Sequence, residues 1–578
     1  MDYEFHKSHL EYIRSQARQR FDPVRQTWID VGQWCFPYRI KWLLHQNEGE
    51  RNNRHIIDTT HISALRSYVA GFQEGNTSST RRWVMATTQD PDLARSPANK
   101  VWLDRFNNRI QNALQMSNFY HAVGQLYYDY GVLGTGAYYI EELNGLLFFH
   151  PLTPGSYYVL NNSYGEAVVM VREFQLTVKA LVEAYGKNGD WSNFSPVVRK
   201  MYEESNYTEL IDVVQIIKQN DFFTPEKPVV GLNRPWIAIT YEVGSQDGAE
   251  YIRGLSLPFR GAVDPTVDEK YQRYLEIRTS KRKPFIVARN DVSLNYEYGQ
   301  KSPAMDALGA IKSLNKKAIS KDIAIEQMIT PTLQGPAHLR KSYITHAPRG
   351  YIPLDPTSMA QKGLSQVYEV NPAIGALLQD VQDLRQQVER LFYVDYLLFL
   401  SRNPKTRTAT EAQAILQEQQ AVIGPNLQSL NWTHNTPVAE YVMDWVLEQD
   451  KYVGDIPEDL SGQFLKIEFV SIFAQAAKAA DLPNINQYVQ AMMNLAQIDP
   501  RVLDKVNLDR LGDIYEDRYY LPAGLNRPQE QVDAIREQQA MMLQRQQILE
   551  QAMTEARAIK DQAQAQKFAM EGERNENV

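Results

Sequence analysis

The chain has 578 residues, of which 43% are hydrophobic and 22% charged, which excludes a disordered chain and allows several buried cores in three or four domains or subdomains. A net charge of -8 excludes a broadly basic surface of the kind that grips DNA phosphates, so any contact with DNA must run through a few basic positions on an acidic background. The single cysteine, Cys35, leaves no intrachain disulfide and no Cys-based zinc site, which fits assembly in a reducing cytoplasm. The charged start MDYEFHKSHLEYIRSQARQRF predicts no signal peptide, and no apolar run approaches the roughly 20 residues that span a bilayer. The 33 tyrosines suit wet interfaces or a tyrosine-rich core equally well.

In chain order, residues 1–35 read as an amphipathic helix through Phe5, Leu10, Ile13, Phe21, Val24 and Trp28, and 54–75 and 98–132 also read as helical. Residues 135–290 change character. Short β-branched or alternating runs (GAYYIEE, LLFFHPL, SYYVLNN, EAVVMVREFQL, IDVVQIIKQ, WIAITYEVG, EYIRGLS, KPFIVARN) are punctuated by turn residues, which predicts a strand-rich α+β region. Helix returns over 303–328, with Leu308, Ile311, Leu314, Ala318 and Ile325 on one side, Lys312, Lys316, Lys317 and Lys321 on the other half, and Pro331 as its end. The proline-rich stretch 331–372 predicts a small β-containing module or a long ordered loop.

Asn371-Pro372 then opens a second long helix with the stripe Ile374, Leu377, Leu378, Val381, Leu384, Val388, Leu391 and Phe392, extending to about Leu400, roughly 42 Å at 1.5 Å per residue. The basic break SRNPKTRT precedes a third long helix with Ala412, Ile415, Leu416 and Val422, in which Gly424-Pro425 should impose a bend. Strand FLKIEFVS and helix INQYVQAMMNLAQ follow. The tail, 527–570, is rich in Gln, Ala, Met and Arg; it reads either as a helix that packs only in an oligomer or as a partly frayed one.

Motifs of catalysis are missing from this sequence. It has no G-x-x-x-x-G-K-[ST], no H-E-x-x-H and no G-x-S-x-G, and Gly134-Thr135-Gly136 is a lone GxG that reads as a tight turn. His6 and His9 lie three apart without a nearby third ligand; Asp58 and His61 could meet on a helix face, but each is more simply a surface or core residue. The expectation is a protein that is not an enzyme and holds no cofactor or metal.

The order of elements carries more than any one motif. An α+β segment leads to one helix, a small proline-rich module, a second helix, a basic loop, a third helix and a helical tail. This order resembles the portal, or head-to-tail connector, proteins of short-tailed phages (podoviruses). WLDRFNNRIQNALQMSNFYHAVGQLYYDYGVLGTGAYYIEE (102–142) is the best match to that family's tryptophan-led helix, "GtGa" turn and strand; Arg81, Arg82 and Trp83 resemble an earlier segment of it. Pro284-Phe285, Arg289, Tyr298-Gly299, Ser302-Pro303, Asp306-Ala307 and Leu314-Asn315 resemble the family's "pf…R…YG.SP…da…LN" run, and Thr408-Ala409-Thr410-Glu411-Ala412 the start of its long wing helix. FVSIFAQAAKAADLPNINQYVQAMMNLAQIDPRVLDKVNLDRL resembles the segment that follows. The similarity covers about residues 1–540. Gln300-Lys301 stands where the family usually has one residue, and VSIFAQAAK lacks an expected proline.

The resemblance implies a dodecameric ring at one capsid vertex of the virion, assembled in the host cytoplasm. It implies a wing over 1–302 and 411–480, stem helices over 303–328 and 373–400, a clip over 329–372, a tunnel loop over 401–410 and a helical crown over 481–578. It implies as partners a terminase, a tail adaptor, the major capsid and scaffold proteins and non-specific double-stranded DNA, and no membrane. Arg402, Lys405 and Arg407 would then face DNA in the channel, Lys312, Lys316, Lys317 and Lys321 would form a basic stem face, and Arg340, Lys341 and Arg349 would belong to the docking clip. A sliding channel must not hold DNA tightly, which agrees with an acidic chain carrying sparse lysines. The rival readings are another virion structural protein, such as a tail adaptor or scaffold, and a metal-dependent nucleic-acid enzyme.

Overall fold

The computed structural model describes residues 7–44, 53–90, 93, 96–186, 194–221, 223–231, 233–243, 274–291, 296–330, 333–336, 351–354, 365–366, 374–397, 422–449, 456–470, 482–497, 506–507, 511–512, 515 and 529–575. They divide into two compact units, Met1–Thr87 with Phe106–Gly454 and Leu465–Gln487, and Thr88–Arg105 with Asp455–Phe464 and Tyr488–Val578. Helix and antiparallel sheet are segregated along the chain, so the fold is α+β.

The first unit opens with helix α1 (Lys7–Cys35) and helix α2 (Thr60–Asn76). Strand β1 (Val84–Thr88) pairs with the late strand β13 (Leu465–Phe469). The predicted helix over 98–132 is two helices, α3 (Pro97–Met116) and α4 (Phe119–Leu133). They part at Ser117-Asn118, where the Ser117 hydroxyl donates to the Leu114 carbonyl at 2.7 Å and accepts from the Phe119 N–H at 3.1 Å. Such local bonding competes with the helix ladder.

Strands β2 (Thr135–Leu143), β3 (Leu146–Pro151) and β9 (Phe285–Arg289) form one antiparallel sheet with β2 in the middle. A second, five-stranded meander runs β4 (Tyr157–Asn161), β5 (Ala167–Thr177), β6 (Leu210–Gln219), β7 (Trp236–Glu242) and β8 (Glu276–Ser280). Residues 213–218 of β6 are all buried, so this central strand is covered on both faces; its two polar members are matched, Gln215 donating to the Thr240 hydroxyl at 3.3 Å and Lys218 pairing with Asp221. Two short helices, Val178–Tyr185 and Pro196–Glu203, bury Val178, Leu181 and Val198 with Phe194, Val213 and Leu275. Their starts are capped by the Thr177 and Ser195 hydroxyls, each accepting a backbone N–H at 3.3 Å.

Tyr68, Tyr127, Tyr130, Tyr138, Tyr157, Tyr241 and Tyr298 are among the largest fully buried side chains, so these tyrosines serve a core. Tyr298 sits edge-on to Phe21 and Trp28 at 5.3 and 5.5 Å between ring centres, which docks α1. Arg39 grips the buried Asp129 of α4 through two bonds of 2.6 and 2.7 Å.

Helix α5 (Pro303–Ile329) leads to a small sheet in which β10 (Leu333–Pro336) pairs parallel with β11 (Tyr351–Leu354) and antiparallel with β12 (Ser365–Gln366). Helix α6 (Ile374–Leu391) follows. It does not run unbroken to Leu400 as expected: Tyr393 adopts a left-handed φ of 57°, and only the short turn Val394–Leu397 continues. Residues 422–448 form helix α7. Gly424-Pro425 lies within its regular first part; the irregularity is a π-turn at Asn431–Asn435. The start expected at Thr410 lies outside the described residues. Helix Leu482–Ala496 begins in the first unit and ends in the second, and the 47-residue helix α8 (Gln529–Asn575) lies wholly within the second.

Candidate functional site

The motif residues scattered over 134–315 are brought together at the root of α5. Gly134 ends α4 at a left-handed φ of 67°, its N–H donating to the Tyr130 carbonyl at 3.0 Å. A Cβ there would lie 2.5 Å from the Lys301 carbonyl oxygen, and one on Gly299 would lie 2.1 Å from the Gly134 carbonyl oxygen. Only glycines allow the two turns to touch. The Gly299 N–H donates to the Thr135 hydroxyl at 2.8 Å, and the Asn290 N–H to the Gly134 carbonyl at 2.9 Å. The additional residue of Gln300-Lys301 is accommodated here, with the Gln300 N–H donating to the Asn290 carbonyl (3.2 Å) and the Asn290 amide to the Lys301 carbonyl (3.2 Å).

Ser302 completes the knot. Its hydroxyl donates to the Val132 carbonyl at 2.7 Å and caps α5 by accepting the Met305 N–H at 3.0 Å, with Pro303 at the first helical position. Arg289 donates to Asn161 Oδ1 (2.8 Å), the Gly165 carbonyl (2.8 Å) and the Glu297 carbonyl (3.2 Å). Its guanidinium is pushed down to about 10 by burial, against the pull of Glu297 and other neighbouring groups. The GxG is thus a helix stop and packing turn, not a phosphate cradle.

The first half of α5 is held within the subunit. Asn315 accepts the Ile57 and Asp58 N–H groups at 2.8 and 2.9 Å and donates to the Ile311 carbonyl. Asp58 also accepts from Arg385 of α6 at 2.9 Å. Burial raises the Asp58 carboxyl, but its bonds from Thr60 and Arg385 outweigh this and hold it below the usual range. His61 Nε2 bonds the Trp34 carbonyl at 3.0 Å, and burial lowers its imidazole pKa against the pull of that carbonyl and of the Asp58 charge. Because residue 315 lies near 385 by way of Asp58, and Lys317 pairs with Asp380, α5 and α6 run in opposite directions.

Of the four predicted stem lysines, Lys312 pairs with Asp30 at 2.7 Å, Lys317 with Asp380 and Lys321 with the adjacent Asp322 at 3.2 Å, while Lys316 is exposed. At 100° per residue Lys312 and Lys321 stand about half a turn apart, so the four do not form one stripe. The far half of α5 exposes Ile319, Ile323, Ile325, Met328 and Ile329, and α6 exposes Leu378. Leu384 is partly buried, and Val388 is fully buried inside the subunit. Arg402, Lys405, Arg407, Arg340, Lys341 and Arg349 lie outside the described residues.

The π-turn of α7 carries a buried polar cluster that sequence reading missed. His434 Nδ1 bonds Asn435 Oδ1 at 2.7 Å, and because that oxygen only accepts, Nδ1 carries the proton. His434 Nε2 then accepts from the Tyr138 hydroxyl at 2.8 Å. Asn435 donates to Asn76 and Asn431, and Asn76 to the Tyr127 hydroxyl. Burial pushes the His434 imidazole down to about 4. A cleft of about 500 Å³ beside β2 and β7 is lined by Glu142, Arg234 and several ion-paired groups, Arg278 with Glu141 and Glu276, and Lys281 and Arg282 with Glu448. Among the described residues no three His, Cys, Asp or Glu side chains are grouped to hold a metal ion, and no helix is long and apolar enough to cross a membrane.

The chain matches the family model described as bacteriophage head to tail connecting protein over residues 7–254 and 262–525. It is 27% identical over 566 residues to the portal protein of Salmonella phage epsilon15, covering 97% of this chain and 96% of that one. It is 28% identical over 529 residues to the probable portal protein of Bordetella phage BPP-1, covering 91% and 89%. These matches take in the knot, both long helices and the π-turn helix, and the chain belongs to the bacteriophage head to tail connecting protein family.

Proposed function

We propose that the protein is the portal subunit of a short-tailed phage, a structural protein that forms the ring at one capsid vertex through which double-stranded DNA enters and leaves. The observation that carries this reading is the near-complete match to two phage portal proteins. The pair α5 and α6 supports it, since one subunit leaves the far apolar residues of both helices uncovered. In this reading α5 and α6 are the stem, the small sheet β10–β12 belongs to the clip that docks the terminase and then a tail adaptor, and residues 401–410 are the tunnel loop. Residues 1–302 and 411–480 form the wing beside the capsid and scaffold proteins, and 481–578 the crown.

The ring is a dodecamer, held at the capsid vertex of the virion. Electron microscopy of the purified protein tests this: rings with a central hole are expected, and monodisperse monomers under assembly conditions would overturn it. The subunit itself turns over no ATP, which a purified preparation free of terminase can check. Arg402, Lys405 and Arg407 meet DNA phosphates in the channel, so replacing all three with Ala leaves rings intact but changes packaging yield or DNA retention, most visibly at low salt.

A further inference from the structure

Trp432 of α7 and Tyr164, in the turn between β4 and β5, are 73% and 84% exposed. A single exposed ring is ordinary, but these two belong to one patch. Arg289 ties their segments together. Its backbone N–H donates to the Thr433 hydroxyl at 3.1 Å, its carbonyl accepts from the Ser429 hydroxyl at 2.8 Å, and its guanidinium donates to the Gly165 carbonyl at 2.8 Å. The neighbours of Trp432 and Tyr164 in sequence are thus one arginine side chain apart. The turn is closed by Asn162, whose side-chain oxygen accepts the Tyr164 and Glu166 N–H groups, both at 2.9 Å. Both rings stand on backbone that is already ordered, which spares a partner the cost of ordering it.

The charges around the rings have one sign at the surface. Residues 422–449 contain no lysine or arginine. Glu166, Glu440 and Asp444 are all exposed, and burial, Asp444 and Glu166 together raise the Glu440 carboxyl, so the three acids act on one another. The bases nearby are engaged or lie deeper. Arg282 pairs with Glu448, Arg289 is buried, and Lys283, which like Arg289 feels the charge of Glu166, lies over the rings of Trp236 and Phe285. Water therefore meets two aromatic rings and three carboxylates. This set repels phosphate and suits a guanidinium, which stacks flat on a ring and pairs with a carboxylate through two parallel N–H groups.

We propose that Tyr164, Glu166, Trp432, Glu440 and Asp444 form a docking surface for an arginine-bearing segment of a partner protein. The surface lies within one subunit, so the proposal goes beyond the ring reading and does not depend on it.

The full-length protein and a fluorescently labelled hexa-arginine peptide test it, by anisotropy at physiological salt, which screens the diffuse attraction of an acidic chain. Trp432→Ala and Tyr164→Ala are each expected to raise Kd about fivefold, and Glu440→Gln about threefold. All three side chains are exposed, so melting temperatures should match the parent. The two rings stand on separate elements, so either variant decides the matter if the other fails to fold. Glu550→Gln, which removes an exposed acid of α8, should leave Kd unchanged. A parent Kd kept by both aromatic variants, or equal weakening by Glu550→Gln and Glu440→Gln, reduces the binding to net charge and overturns the proposal. Hexalysine binding as tightly as hexa-arginine overturns it too, because an ammonium cannot stack flat. Rings that lose the peptide binding kept by free subunits would put a second copy of this chain on the patch, which overturns the partner and leaves the ring.

Discussion

The two ends of α5 are built by opposite rules. At its root the helix is capped by Ser302, tied to Val132, Thr135 and Asn290 through neighbouring residues, and locked to residues 57–58 by Asn315. At its far end it presents isoleucine and methionine to solvent, with Ile329 74% exposed. The root satisfies its polar groups inside one chain. The far end leaves apolar side chains exposed. One helix therefore reports separately on folding and on assembly, according to where it is struck.

Substitution in α6 breaks this comparison most sharply. Val388 is fully buried, so Val388→Asp forces an unpaired charge into the subunit core at a cost of about 5 kcal/mol. Insoluble or protease-sensitive protein is expected. Ile323→Asp on α5 should leave the melting temperature within about 2 °C of the parent, because its side chain is already solvated, yet abolish rings in the electron microscope. Equal loss of folding in both variants would erase the distinction.

The root can be tested by adding one carbon. Gly299→Ala places a methyl 2.1 Å from the Gly134 carbonyl oxygen and 2.8 Å from that of Asn290, both backbone atoms that cannot swing away. A loss of about 3 kcal/mol in urea unfolding is expected, at the upper end of ordinary overpacking. A loss under 1 kcal/mol would mean that the knot is pliable.

Acid should loosen the region around α7. The unfolded chain protonates His434 near pH 6.5, whereas the folded site resists until about 4. The unfolded state therefore binds more protons between these values. Stability present above 6.5 is lost as pH falls toward 4, amounting to about 2 kcal/mol at pH 5. His434→Gln should flatten this part of the pH profile, and an unchanged slope would place the sensitivity elsewhere.

Much of this architecture was legible because its signals are local. Ser302-Pro303 announced α5, and the β-branched runs marked seven of the strands now described. The knot was legible only as a set of resemblances. Gly134, Asn290 and Gly299 are each one turn residue, and their contact depends on the whole intervening sheet. Periodicity extended α6 to Leu400 because the left-handed Tyr393 leaves no mark on an apolar stripe. The helices Val178–Tyr185 and Pro196–Glu203 carried cap residues at Thr177 and Ser195 but were too short to show a period against their strand-rich surroundings. The lysines of α5 looked like a basic face because Asp30 and Asp380, which take up two of them, are remote in sequence.

Those ion pairs mark the border between the two ends, and the smallest effect is expected there. Lys317 and Asp380 join α5 to α6, but their side chains keep 37% and 47% of their exposure. Water and salt screen such a pair, and ordering two long side chains offsets part of the attraction. A double-mutant cycle with Lys317→Met and Asp380→Asn should give a coupling of about 0.5 kcal/mol that shrinks in high salt. On the ring reading proposed above, ring formation by these variants should survive, since that reading puts the assembly contact on the exposed apolar residues beyond the pair. A coupling above about 2 kcal/mol, insensitive to salt, would show that the pair is shielded in the assembled protein. The border would then lie farther along the helix, toward Ile323.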